Sequence, residues 1–135
     1  MSTLVREVMT ADPLVVSIDE TLEHAWAMMN EQGCRHLPVV EEGQLVGILS
    51  MTDIGRLGAT VPSLMARSVG DSMTRHPFTV GPDEPIDSAA AQMGIRKVNC
   101  LPVVASGKLV GILTTYDLLD AFVRQLGPHS VRSSR

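Results

Sequence analysis

Ser50 and Asp53 stand three residues apart, and so do Thr114 and Asp117. Each pair follows a Gly-Ile-Leu triplet, Gly47-Ile48-Leu49 in one case and Gly111-Ile112-Leu113 in the other. A hydroxyl with an acid three residues on has the spacing of a capping box, in which the hydroxyl caps a helix and the acid reaches back to an unpaired amide. The same junction can also hold a nucleotide. A helix N-terminus turns free N–H groups and the positive end of its dipole toward phosphate. A carboxylate there can accept both hydroxyls of a ribose, as an acid does in dinucleotide folds. The second reading keeps the cap and adds a ligand to it.

Other chemistry is sparse. The chain has no Ser-His-Asp arrangement and no paired-acid motif, so we expect no catalysis. Cys34, His36 and Cys100 are the only soft or imidazole ligands that a repeat symmetry would bring together. Three ligands fall short of the four that a closed zinc site uses, and we expect no metal.

The elements that position these residues occur twice. Shifting the chain by 64 positions matches it to itself without a gap, and 20 of the 47 residues from 8 to 54 are identical to their counterparts. Met9-Thr10 recurs as Met73-Thr74, Leu37-Pro38-Val39-Val40 as Leu101-Pro102-Val103-Val104, and Leu45-Val46-Gly47-Ile48-Leu49 as Leu109-Val110-Gly111-Ile112-Leu113. In each copy a short strand, 14–16 or 78–80, precedes an amphipathic helix. The first helix carries Leu22, Ala25, Trp26 and Met29 at helical spacing; the second carries Ile86, Ala89, Ala90 and Met93. Asp19 fits an N-cap and Gly33 a stop. Two apolar runs around a Gly-containing turn then form a hairpin, and a second helix starts at Ser50 or Thr114. The order β-α-β-β-α, taken twice, predicts an α/β (α+β) fold of two repeats packed about a pseudo-twofold axis. The repeats span 5–58 and 68–126, with a linker at 59–67 and a flexible tail at 127–135.

Composition narrows the function further. A net charge of −4 and four aromatics, Trp26, Phe78, Tyr116 and Phe122, argue against nucleic-acid binding by charge or stacking. No apolar run approaches the ~20 residues that span a membrane. Arg6 and Glu7 interrupt the opening segment, so it is no secretory signal. Two widely separated cysteines fit free thiols in a reducing cytoplasm.

In Val8-Met9-Thr10 with Pro13, the paired Leu-Pro-Val-Val runs and the two Gly-x-x-[Ser/Thr]-x-x-Asp segments, the chain resembles a tandem pair of cystathionine-β-synthase (CBS) domains, a Bateman module. The resemblance covers roughly residues 5 to 126. It implies a regulatory module that binds AMP, ADP, ATP, S-adenosylmethionine or NAD in clefts between the copies. Asp53 and Asp117 would hold ribose hydroxyls; Ser50 and Thr114 would contact ribose or phosphate. Val16, Ile18, Leu37 and Pro38 would wall one adenine, and Val80, Pro82, Leu101 and Pro102 the other. Arg35 and His36 occupy a phosphate-contact position that the second copy fills with Asn99 and Cys100. Phosphate affinity should therefore differ between the sites, while ribose affinity stays similar. His36 titrates near neutrality, so the stronger phosphate site should weaken from about pH 6 to 8. Arg96 and Lys97 read as a solvated helix end. The resemblance further implies a homodimer, a disc of four CBS copies, with Trp26, Met29, Ala90 and Met93 on its apolar faces. With no effector domain beside the pair, the signal would pass to an unknown protein partner. The competing reading is a dimerisation scaffold whose clefts are vestigial.

Overall fold

The apolar runs form the strands. In the computed structural model, which describes residues 3–58 and 63–126, His36–Glu41 (β3) and Gln44–Ser50 (β4) make an antiparallel hairpin. Its turn holds Glu42 and Gly43 at φ 51° and 78°; Ser106 and Gly107 repeat this at 51° and 77° between Cys100–Ala105 (β6) and Lys108–Thr114 (β7). Two successive positive φ values match the strands' right-handed twist. Val16–Ser17 (β2) lies parallel to β3, as a helical crossover requires.

The remaining strands pair across the repeats. Thr10–Ala11 (β1) lies antiparallel to β7, and Thr74–Arg75 (β5) lies antiparallel to β4. The sheets therefore run β2-β3-β4-β5 and β1-β7-β6. Each repeat gives its opening segment to the sheet of the other. The compact units follow this exchange. One comprises Pro13–Phe78 with Gly107–Leu109; the other comprises the described residues of Met1–Asp12, Thr79–Ser106 and Val110–Arg135.

Each unit has its own core. In the first, helix Leu22–Gln32 (α2) turns Leu22, Ala25 and Met29 onto Leu37, Val39 and Leu49, with Ile54 of helix Met51–Gly58 (α3) and Met73. In the second, Ala89 and Met93 of helix Ile86–Arg96 (α4) pack with Leu101, Val103 and Leu113, joined by Val5 of the short helix Val5–Val8 (α1). Helix Thr115–Leu126 (α5) adds Leu118 from its inner side. A fully buried Leu or Met contributes roughly 1.5–3 kcal/mol over an exposed one.

Several expectations change. The N-cap of α2 is Thr21, whose hydroxyl accepts from the His24 amide at 3.1 Å. Asp19 lies too far out; its own amide donates to Ser17 Oγ. Met29 and Met93 are buried in their own units, 0% and 4% exposed, and offer nothing to a second chain. Trp26 and Ala90 are half-buried. The exposed large apolar side chains include Tyr116, Leu119, Phe122 and Val123 of α5 and Ile95 at the end of α4. Gly33 ends α2 at φ 70°, as its type suggests. Lys97 ends α4 at φ 56°, where a side chain costs roughly 1–2 kcal/mol. Of the linker, α3 extends through Gly58 and a 3-10 turn spans Leu64–Ala66; residues 59–62 lie outside the described residues, as does the tail 127–135.

Candidate functional site

The two acid–hydroxyl pairs fall at the strand-to-helix junctions β4–α3 and β7–α5. Ser50 closes β4 opposite His36 of β3, and its Oγ accepts from the Asp53 amide at 3.4 Å. In the second unit the box is reciprocal. Thr114 Oγ1 accepts from the Asp117 amide at 3.2 Å, and Asp117 Oδ2 accepts from the Thr114 amide at 2.9 Å and its hydroxyl at 3.1 Å. The capping reading therefore holds, and both carboxylates sit in the first turn of a helix.

Asp117 has another partner that sequence reasoning missed. Thr10 Oγ1 donates to its Oδ1 at 3.2 Å, across 107 positions of sequence. The exchange of opening segments brings them together, because β1 lies beside β7. The signal was the recurrence of Met9-Thr10 as Met73-Thr74, which places Thr74 beside Ile48 on β4 as Thr10 lies beside Ile112 on β7.

The other expected residues divide by burial. Val16, Leu37, Val80 and Leu101 belong to the cores, and Pro38 and Pro102 are buried beside them. Ile18 and Pro82 are half-buried. Ile18 is tied in through its amide to Val40 O at 3.0 Å, and Pro82 O accepts from the Arg6 amide at 2.9 Å. Val80 bridges Val103 in parallel and gives its amide to Pro102 O at 3.1 Å.

The positions ahead of the Leu-Pro-Val-Val strands differ sharply. Arg35 is exposed, and its carbonyl accepts from the Met51 amide at 2.8 Å. Asn99 is exposed too, and its carbonyl accepts from the Thr115 amide at 3.0 Å. The Thr115 hydroxyl also donates to Asn99 Oδ1 at 3.3 Å. Cys100 is buried; burial pushes its thiol up to about 12, and the Asp117 carboxylate adds to the push. It is inert as a nucleophile. Cys34 is a free, half-buried thiol whose pKa burial also raises. Among the described residues no three His, Cys, Asp or Glu side chains gather as a metal site.

Burial pushes the His36 pKa down, the Arg35 guanidinium pushes the same way, and the Asp53 carboxylate pulls it back in part. The pH below which His36 carries charge therefore lies lower than for an ordinary histidine, and the window for a phosphate contact moves down with it. Folded His36 takes up a proton less readily than unfolded histidine. Stability is thus lost as pH falls from the ordinary histidine value, about 6.5, through the lowered folded value, and His36 contributes nothing above that window. His36→Gln should flatten this part of the stability profile, below the ordinary histidine value of about 6.5. Denaturant midpoints at a series of pH values measure it; an unaltered slope in the variant would assign the dependence to another group.

A family model for the CBS domain matches residues 5–58 and again 66–124. The chain belongs to the CBS-domain family. A CBS domain-containing protein of Dictyostelium discoideum is 31% identical over 141 residues, covering 95% of this chain and 97% of that protein. In six enzymes that also match, the aligned CBS stretch is 22–25% of the enzyme's length. The CBS domain pair of protein MJ0100, solved with 5′-methylthioadenosine and S-adenosyl-L-methionine, superposes with a TM-score of 0.82 at 28% identity, covering 93% of this chain and 99% of that one. CBSX2, solved with AMP, superposes at 0.79 with 27% identity, covering 90% and 97%. The mixed α+β architecture with two sheets is thus that of CBS pairs. Among the described residues no helix is long and apolar enough to cross a membrane.

Proposed function

We propose that this CBS pair is a regulatory module that binds an adenosine-containing ligand, AMP, ADP, ATP or S-adenosylmethionine, and is not itself a catalyst. The observation that carries the reading is the repeated junction: a hydroxyl on the last strand residue and a carboxylate in the first turn of the helix that follows, once in each unit. The adenosine ligands of the MJ0100 and CBSX2 pairs support it. Asp53 and Asp117 take the ribose hydroxyls, with Ser50 and Thr114 on ribose or phosphate. Ile18, with edges of Val16, Leu37 and Pro38, flanks adenine in one unit, and Pro82, with edges of Val80, Leu101 and Pro102, flanks it in the other. Arg35 supplies the phosphate charge in one unit, beside His36; Asn99 and Cys100 supply none in the other.

The module acts in the cytoplasm, as a homodimer, on a separate protein partner. Tyr116, Leu119 and Val123 recur on one side of α5 and, with Phe122, are 43–70% exposed. An apolar patch of this kind on a helix marks an interface. Isothermal titration with AMP, ATP and S-adenosylmethionine tests the ligand reading. Saturable heat at micromolar concentration is expected from at least one; none from all three would leave the scaffold reading. Light scattering tests assembly. A monomer at micromolar concentration would overturn the homodimer, and Leu119→Glu with Phe122→Glu should produce one.

A further inference from the structure

A groove of about 560 Å³ lies among α1, α4 and α5 of the second unit. Its half-buried lining is apolar, with Val8, Ile86, Ala90 and Leu118, and the exposed Phe122 adds to it. Its charged lining is four carboxylates, Glu7, Asp87, Asp117 and Asp120, against one cation, Arg124. Arg124 pairs with Asp120, and Asp117 is held by Thr10 and Thr114. Glu7 and Asp87 remain on the rim, each accepting one backbone amide, from Leu4 at 2.7 Å and Ser88 at 2.9 Å. Each keeps a second oxygen. An occupant must therefore bring an apolar side chain for the apolar lining and cations for the rim.

The same chain carries that complement. Ile95 is 72% exposed, and Arg96 and Lys97 follow it, both exposed, at the C-terminal end of α4, where Arg96 Nε donates to Gln92 Oε1 at 3.0 Å. The helix dipole accounts for two cations at a helix C-terminus. It does not account for an isoleucine held in solvent beside them. Nor does it account for a lysine at a left-handed position that the first repeat gives to Gly33.

We propose that the groove of one copy takes the Ile95-Arg96-Lys97 projection of a second copy. The inference rests on the homodimer reading and names its contact. Each copy carries both halves, so a twofold dimer makes the contact twice. The apolar side chain enters over Ala90 and Phe122, and the cations meet Glu7 and Asp87. Groove against groove would instead oppose like charges, which costs affinity.

Charge exchange tests it by sedimentation equilibrium. R96E/K97E reverses the projection and E7K/D87K reverses the groove. Each alone should dimerise at least 10-fold more weakly than the unaltered chain. An equimolar mixture should regain the unaltered affinity, because both contacts in the mixed dimer are again complementary. Ile95→Ser, which leaves every charge in place, should also weaken the dimer, and thermal melts report whether each variant is folded. Unaltered dimerisation in the folded reversal variants, or a mixture no tighter than its components, would overturn the contact. A monomeric unaltered chain would overturn the homodimer reading itself, so the two failures are distinct.

Discussion

Gly47→Ala should destabilise the first unit by about 1–3 kcal/mol, the usual cost of forcing an extra group into a filled space. A Cβ at Gly47 would stand 2.5 Å from Met73 Sδ and 2.8 Å from the carbonyl oxygen of Thr74. The methionine end can swing aside, but the carbonyl belongs to β5, paired here with β4. Relief requires β5 to move outward, and Met73, 8% exposed, leaves the core with it. Gly111→Ala meets Met9 Sδ at 2.4 Å but the Thr10 carbonyl only at 3.0 Å, so its backbone clash is milder. Chemical denaturation of both variants should rank Gly47→Ala as the more damaging. Equal stability of the two, or no loss from Gly47→Ala, would mean that β5 yields freely.

This close approach also marks where sequence reasoning stops. The hairpins, the main helices and the acid–hydroxyl junctions were legible, because apolar periodicity and turn chemistry are local. The exchange of β1 and β5 was not. A two-residue strand has no periodicity to read, and its pairing joins residues far apart in the chain, such as Thr10 and Ile112. Thr10 therefore escaped notice as a partner of Asp117, although its repetition as Thr74 was plain. The apolar face of a helix raised a different problem. Periodicity groups Ala89 with Met93 and Leu119 with Val123, but it does not say which group meets the core. Met93 fills the core beside Leu101, while Leu119 faces solvent. The His36 shift was hidden for a similar reason: burial dominates it, and burial depends on the packed strand.

The sharpest separation of cap from ligand comes at Asp117. Its carboxylate accepts from the Thr114 amide, the Thr114 hydroxyl and the Thr10 hydroxyl. Asp117→Ala removes all three and should cost about 1–3 kcal/mol of stability, as lost caps and charge-assisted bonds do. It should also weaken AMP by about 10- to 100-fold at that site, since a ribose held by a carboxylate gains roughly 1.5–3 kcal/mol for each such bond. A combined loss does not by itself separate the roles. Asp117→Asn does, because the amide keeps one oxygen to accept from Thr114 but loses the charge and one acceptor. Its stability should stay near that of the unaltered chain while its AMP affinity still falls. Asp53→Ala should weaken the other site by a similar factor, and its phosphate term depends on Arg35. Arg35→Ala should therefore bring the two AMP affinities closer together and leave adenosine, which has no phosphate, unchanged. Calorimetry with AMP and adenosine on these four variants, beside their melting curves, decides the matter. If Asp117→Asn and Asp53→Ala bind AMP as the unaltered chain does, the carboxylates serve the helices alone and the ribose assignment fails.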